Sequence, residues 1–197
     1  MKRYAKASYP PAGPWDRRLT GIGCSGLKPV QTLHENEWFA VCNRGGYYTV
    51  EYHLPHVIVL PVVNQESIVL VRVKRPIIDD ISLELPAGCA EAGETPEQGA
   101  ARELGEETGI VVKDLSRFVP MPPLSVSPNR MPKLAYVFRI DLTRQEYDDR
   151  KPHDDEVTDV ECASLKDAAK MITNGSIYAS VPVAVIGMYL VSRNLID

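Results

Sequence analysis

Glu103, Glu106 and Glu107 are spaced i, i+3 and i+4. On a helix that spacing places all three carboxylates on one face. Side by side they repel, and Arg102, which reaches Glu106 at i+4, brings one positive charge against three negative ones. A hard divalent cation with oxygen ligands would offset the repulsion. The plainer reading is a solvated acidic helix face. The spacing alone leaves both readings open. Gly88 and Gly93 allow a tight loop ahead of the helix. Ala100, Ala101 and Leu104 give its opposite face an apolar surface to pack on a sheet.

Such a face needs a rigid helix, and its boundary signals are present. Thr95 is a good N-cap, Pro96 suits the first helical position and Gln98 completes a capping box. Gly109 can end the helix in the left-handed conformation. Strands are expected over residues 57–63 and 67–73, joined by Asn64-Gln65-Glu66, and over 82–85, 134–142 and 157–162. Further helices are expected over 164–172, with Ser164 and Asp167 in capping-box spacing, and over 183–193 after Pro182. Upstream, residues 38–42 and 47–53 read as two strands, with Asn43-Arg44-Gly45-Gly46 as their turn. Residues 1–34 contain Pro10, Pro11, Pro14 and Pro29 and little periodicity, which reads as a tail or arm. The expectation is therefore an α+β protein in three parts: the arm 1–34, a small antiparallel sheet 35–56, and a domain 57–197 in which a mixed sheet packs against helices.

With 197 residues the chain is sized for one domain. Its apolar fraction of 44% and charged fraction of 24% are those of an ordinary globular protein. A net charge of −4 gives no basic face, so nucleic acid is not an expected partner. A phosphate-handling enzyme can still be acidic when metal ions supply the positive charge. Cys24, Cys42, Cys89 and Cys162 form no CxxC pair and read as reduced, mostly packed thiols. The start lacks an apolar signal segment, and the longest apolar run, near residues 181–191, is too short to span a bilayer. A cytoplasmic protein without a membrane partner is the default expectation.

The whole run from Gly88 to Ile110 fits the pattern G-x5-E-x7-R-E-U-x-E-E-x-G-U, where U is aliphatic, at nine specified positions within 23 residues. The chain thus resembles the Nudix hydrolase superfamily. That resemblance implies the Nudix fold, a mixed sheet sandwiched between helices, and a loop-helix-loop metal site. It implies Glu103 and Glu107 as principal Mg²⁺ ligands, with Mn²⁺ as an alternative ion. Glu106 becomes a further ligand or a supporting group, and the carbonyl of Ala87 joins the set. Arg102 and Glu94 become the pair that orients the ligand glutamates. The metal would bridge diphosphate oxygens and make a water acidic enough to attack phosphorus.

Substrate class rests on other residues. Arg72-Val73-Lys74-Arg75 followed by Leu83-Glu84-Leu85-Pro86-Ala87-Gly88 is similar to the ADP-ribose and nucleoside-diphosphate-sugar pyrophosphatase branch. There Arg75 would be a phosphate or ribose contact, and Pro128, in Ser125-Val126-Ser127-Pro128, would belong to a substrate loop. Asp154 and Glu156 would be the general base and one more metal ligand; a solvated acidic loop is the other reading. The resemblance also implies a homodimer, with the small N-terminal sheet exchanged between subunits. Trp38, Tyr47 and Tyr48 could stack a base, although packing is the commoner role of strand aromatics. His53 and His56 read as structural. The expected reaction is cleavage of a nucleoside diphosphate sugar to a nucleoside monophosphate and a sugar phosphate. Other readings are cleavage of nucleoside triphosphates or dinucleoside polyphosphates, or a non-catalytic nucleotide-binding regulator.

Overall fold

The computed structural model describes residues 30–151 and 155–194. Its centre is a mixed sheet. Strand β4 (His56–Val63) runs parallel to β9 (Ala135–Leu142) and antiparallel to β5 (Ser67–Arg75). Across the sheet the order is β10 (Val157–Ser164), β5, β4, β9 and β8 (Val119–Leu124). Two short strands complete it: β6 (Asp80–Glu84) on β5 and β7 (Ala87–Cys89) on β4. Seven of the eight β4 residues are buried, because both faces of the strand are covered. Its odd-numbered residues Val57, Val59 and Val63 join one core cluster, while Ile58, Leu60 and Val62 join the other.

Helices cover the two faces. On the first face lie α1 (Pro96–Thr108), through Ala100 and Leu104, and the short α2 (Arg144–Asp148), through Tyr147. On the second lie α3 (Leu165–Thr173) and α4 (Ser180–Ser192), through Ala168, Val185, Ile186 and Leu190. The sandwich and the α+β class match the sequence reading. The caps of α1 do as well. Thr95 accepts the Gln98 N–H while the Gln98 side chain accepts the Thr95 N–H, and Gly109 closes the helix at φ 73°. Among the described residues no helix is long and apolar enough to cross a membrane.

A separate antiparallel sheet is built from β1 (Val30–Glu35), β2 (Phe39–Arg44) and β3 (Tyr47–Tyr52). The β2–β3 turn is Gly45-Gly46, both at positive φ, with Asn43 Oδ1 accepting the Gly46 N–H. Strand β1 corrects the reading of 1–34 as an arm at its last five residues. All six of its side chains are exposed, so no apolar alternation marked it. The other edge of β3 receives the segment after β8. Val50 donates to the Arg130 carbonyl at 2.7 Å, and Lys133 donates to the Tyr52 carbonyl. Strand β8 was not expected either. Pro120, Pro122 and Pro123 remove donors from it, which an edge strand tolerates. Residues 1–29 of the expected arm lie outside the described residues.

Candidate active site

The loop β7 and helix α1 are built around one close approach. A Cβ on Gly88 would lie 2.3 Å from the Glu103 carboxylate, so only glycine lets that side chain fold against the loop. Arg102 holds the assembly together. Its Nη2 donates to Glu103 at 2.9 Å and to the Cys89 carbonyl at 2.7 Å. Its Nη1 donates to Glu106 at 2.7 Å and its Nε to Glu94 at 3.2 Å. Burial alone would lower the Arg102 pKa, but Glu103 and Glu106 raise it, so the guanidinium is permanently charged. Glu107 is fixed separately, accepting the Ala87 N–H at 3.0 Å. A second pin holds the far end of α1. Lys151 donates its N–H to the Gly109 carbonyl at 2.9 Å.

These residues open on a cleft of about 370 Å³, whose lining includes Glu103, Glu107, Arg75, Glu84 and Glu156. Glu103 and Glu107 are buried, at 9% and 8% exposure, and Glu103 shares the Arg102 guanidinium with Glu94 and Glu106. Burial pushes the Glu103 carboxyl above the usual carboxylate range, and Arg102 only partly opposes this. A divalent cation between Glu103 and Glu107 would reverse that penalty, and hard carboxylate oxygens are the donors it takes. The residues present therefore fit a Mg²⁺-type ion. Among the described residues no three side chains already converge as a ready cage. A metal here would draw remaining ligands from backbone, water and substrate, as Mg²⁺ commonly does.

The structure divides the sequence candidates into those that share the cleft and those that do not. Ala87, Glu103, Glu107, Glu156 and Arg75 share the cleft. Glu94 and Arg102 support Glu103 from behind. Glu106 is not among the cleft-lining residues; its side chain is 49% exposed and paired with Arg102. Pro128 is exposed in a turn, while its neighbours Val126 and Met131 line the cleft instead. Asp154 lies outside the described residues. Trp38, Tyr47 and Tyr48 are exposed on the small sheet, and none lines the cleft.

Two residues gain roles that the sequence reading did not assign. Glu84 grips Arg75 with both oxygens, at 2.7 Å and 2.9 Å, and also accepts the Ser82 hydroxyl. Burial would push the Glu84 carboxyl up, but Arg75 and Ser82 hold it below the usual range. The pair fixes the guanidinium in one orientation with its remaining N–H groups available to a ligand. Arg75 lies opposite Asp80 in the β5–β6 register and reaches along the strand pair to Glu84, which lies opposite Val71, a contact that no local motif reveals. The other residue is His56, on the cleft wall.

Comparison with known proteins agrees with this geometry. The chain is 32% identical over 126 residues to an ADP-ribose pyrophosphatase of Bacillus subtilis strain 168, covering 64% of this chain and 66% of that protein. It is 36% identical over 118 residues to the phosphatase NudJ of Escherichia coli K12, covering 60% of this chain and 72% of that one. The chain thus spans about two thirds of the length of the curated relatives it matches. Residues 52–180 match the NUDIX domain family, a span that leaves most of the small sheet outside and takes in every cleft-lining residue except Val181. With that match, on a loop and helix held together as described, the chain belongs to the Nudix hydrolase superfamily.

Proposed function

We propose that this protein hydrolyses the diphosphate of ADP-ribose or a related nucleoside diphosphate sugar, releasing a nucleoside monophosphate and a sugar phosphate. The observation that carries the reading is one cleft lined by two buried carboxylates, Glu103 and Glu107, together with a guanidinium fixed in place, Arg75. Membership of the superfamily and the names of both relatives support hydrolysis at phosphorus.

Glu103 and Glu107 would hold the divalent ion, Mg²⁺ in this proposal, with Glu156 joining from the cleft rim and the Ala87 carbonyl adjacent. When bound, that ion supplies charge neutralisation at the diphosphate and a more acidic water. The protein supplies positioning. Arg102 keeps Glu103 aimed, and the Ala87 N–H keeps Glu107 aimed. Arg75, preset by Glu84, forks onto phosphate oxygens. Water attacks one phosphorus, the bridging P–O bond breaks, and the leaving phosphate takes the bridging oxygen. Asp154 is proposed to accept the water proton. The Lys151–Gly109 hydrogen bond ties the start of that acidic loop to the metal helix.

Incubation with ADP-ribose, GDP-mannose, nucleoside triphosphates and diadenosine polyphosphates, with and without Mg²⁺, tests the proposal. Turnover of the sugar diphosphates in Mg²⁺ alone is expected. No turnover of any of them overturns the hydrolase reading, and Mg²⁺-dependent thermal stabilisation without turnover would favour a regulatory module. A homodimer is proposed on separate grounds. Val30, Leu33, Trp38, Tyr47 and Tyr48 are all exposed on the three-stranded sheet, more apolar surface than so small a unit usually leaves to water. Light scattering at micromolar concentration that reports a monomer would refute it.

A further inference from the structure

The cleft has a second, uncharged wall. Its lining divides chemically into a charged set, Glu103, Glu107, Glu156, Arg75 and Glu84, and a set without formal charge that includes His56, Ile58, Val126, Met131 and Val181. A diphosphate and its cation belong with the first set. What the second set receives is decided by its only side chain with two hydrogen-bonding nitrogens.

His56 opens β4 and lies directly opposite Cys89 of β7, the residue that follows Ala87 and Gly88 in the metal loop. Cross-strand partners point to the same face, and Cys89 Sγ lies 3.9 Å from His56 Nδ1. The Tyr52 ring meets the imidazole edge-on, with centroids 5.8 Å apart at 83°. These contacts fix the ring plane. Among the described residues, Nε2 makes no hydrogen bond. The ring also forms the wall shared with a smaller apolar recess bounded by Leu54, Pro55, Leu134 and Ala135. Lys133 borders that recess, but its ammonium donates to the Tyr52 carbonyl. His53, by contrast, is absent from both linings and spends its Nε2 on the Asn36 carbonyl at 2.9 Å. The two histidines, three residues apart, have separate roles.

We infer that His56 is a specificity-determining substrate contact, whose imidazole hydrogen-bonds an uncharged hydroxyl- or amide-bearing group carried by the diphosphate. Burial, with Arg75 adding to it, keeps the imidazole below the usual histidine range and hence neutral near pH 7. A neutral ring offers one donor and one acceptor. That suits a sugar hydroxyl or a base edge on an apolar wall and offers nothing special to a further phosphate. The inference rests on the diphosphate reading of the same cleft and adds to it a basis for choosing a sugar or nucleoside over a longer phosphate chain.

The test compares two ligands by calorimetry on the full chain, with Ca²⁺ replacing Mg²⁺ to slow turnover. ADP-ribose carries neutral groups, and inorganic pyrophosphate carries none. His56→Ala is expected to weaken ADP-ribose roughly tenfold, the scale of one hydrogen bond to a buried partner. Pyrophosphate affinity should stay within about twofold, since the charged wall is untouched. His56→Gln, which keeps a donor and an acceptor, should recover most of the loss, and thermal unfolding of both variants reports whether they fold. Equal weakening of both ligands, no weakening of ADP-ribose, or no recovery by glutamine would each overturn the inference. Wild-type protein that binds ADP-ribose with this pattern but never hydrolyses it refutes the hydrolase reading alone. Hydrolysis with unchanged ADP-ribose affinity in His56→Ala refutes the inference alone. Wild-type protein that binds neither ligand overturns both.

Discussion

Replacing Gly88 by alanine should disable the site without unfolding the protein. The new Cβ would stand 2.3 Å from Glu103 Oε1 and 2.6 Å from Oε2. Ordinary contacts need about 3.5 Å, so the carboxylate must retreat by about 1.2 Å. Backbone strain is not the issue, because Gly88 sits in a strand and is not among the positive-φ glycines. The obstacle is the far end of a flexible side chain, which can swing away. Swinging breaks the 2.9 Å hydrogen bond from Arg102, a charge-assisted contact worth about 1.5–3 kcal/mol, part of which new solvation returns. A displacement of about 1 Å in a positioned catalytic group can lower turnover roughly 100-fold. Three measurements check this: steady-state kcat, Mg²⁺ concentration for half-maximal rate, and thermal unfolding. The expected result is a large loss in the first two and a shift of a few degrees in the third. Near-normal turnover and metal dependence would refute the claim that the Gly88 gap exists to seat Glu103.

Glu107→Gln should lower kcat by roughly 10²- to 10³-fold, the usual effect of losing one group that stabilises transition-state charge. The fold should survive, because the amide oxygen can still accept the Ala87 N–H, and circular dichroism with kinetics separates the two effects. Leu104→Ala removes a fully buried side chain between α1 and the sheet, and denaturant unfolding should show a loss of about 2–5 kcal/mol. Glu146 accepts from Arg117 at 2.6 Å, which holds its carboxyl at about 2, against about 4.3 in an unfolded chain. A depressed carboxyl stabilises above the unfolded value and loses that contribution as pH falls through the folded one. Acid unfolding monitored from pH 5 to pH 2 should therefore be less steep in Glu146→Gln than in wild type; identical profiles would remove Glu146 from the account.

Helix α1 was legible because its information is local. Caps, a glycine terminator and carboxylates at i, i+3 and i+4 all act within one turn or two, so residues 95–110 carry their own geometry. The buried strands were legible for the same reason, through runs such as His56–Val63, although both faces being covered hid the alternation. Weakly marked elements were not: β1 is exposed throughout, and β8 is half proline.

What tertiary structure alone decided is which of the chemically capable residues meet. Sequence spacing made Glu106 equal to Glu103 and Glu107. Packing on the sheet buried Glu103 and Glu107, while Arg102 and solvent took Glu106. Pairing of β5 with β6 brought Glu84 to Arg75, and pairing of β4 with β7 brought His56 beside Cys89 and into the cleft. The physical reason is the range of the interactions. Helix caps and i+4 neighbours are settled by the chain within a few residues of itself. A cross-strand partner is set by register, over a separation of 33 residues for His56 and Cys89, and register follows from burial of the whole sheet.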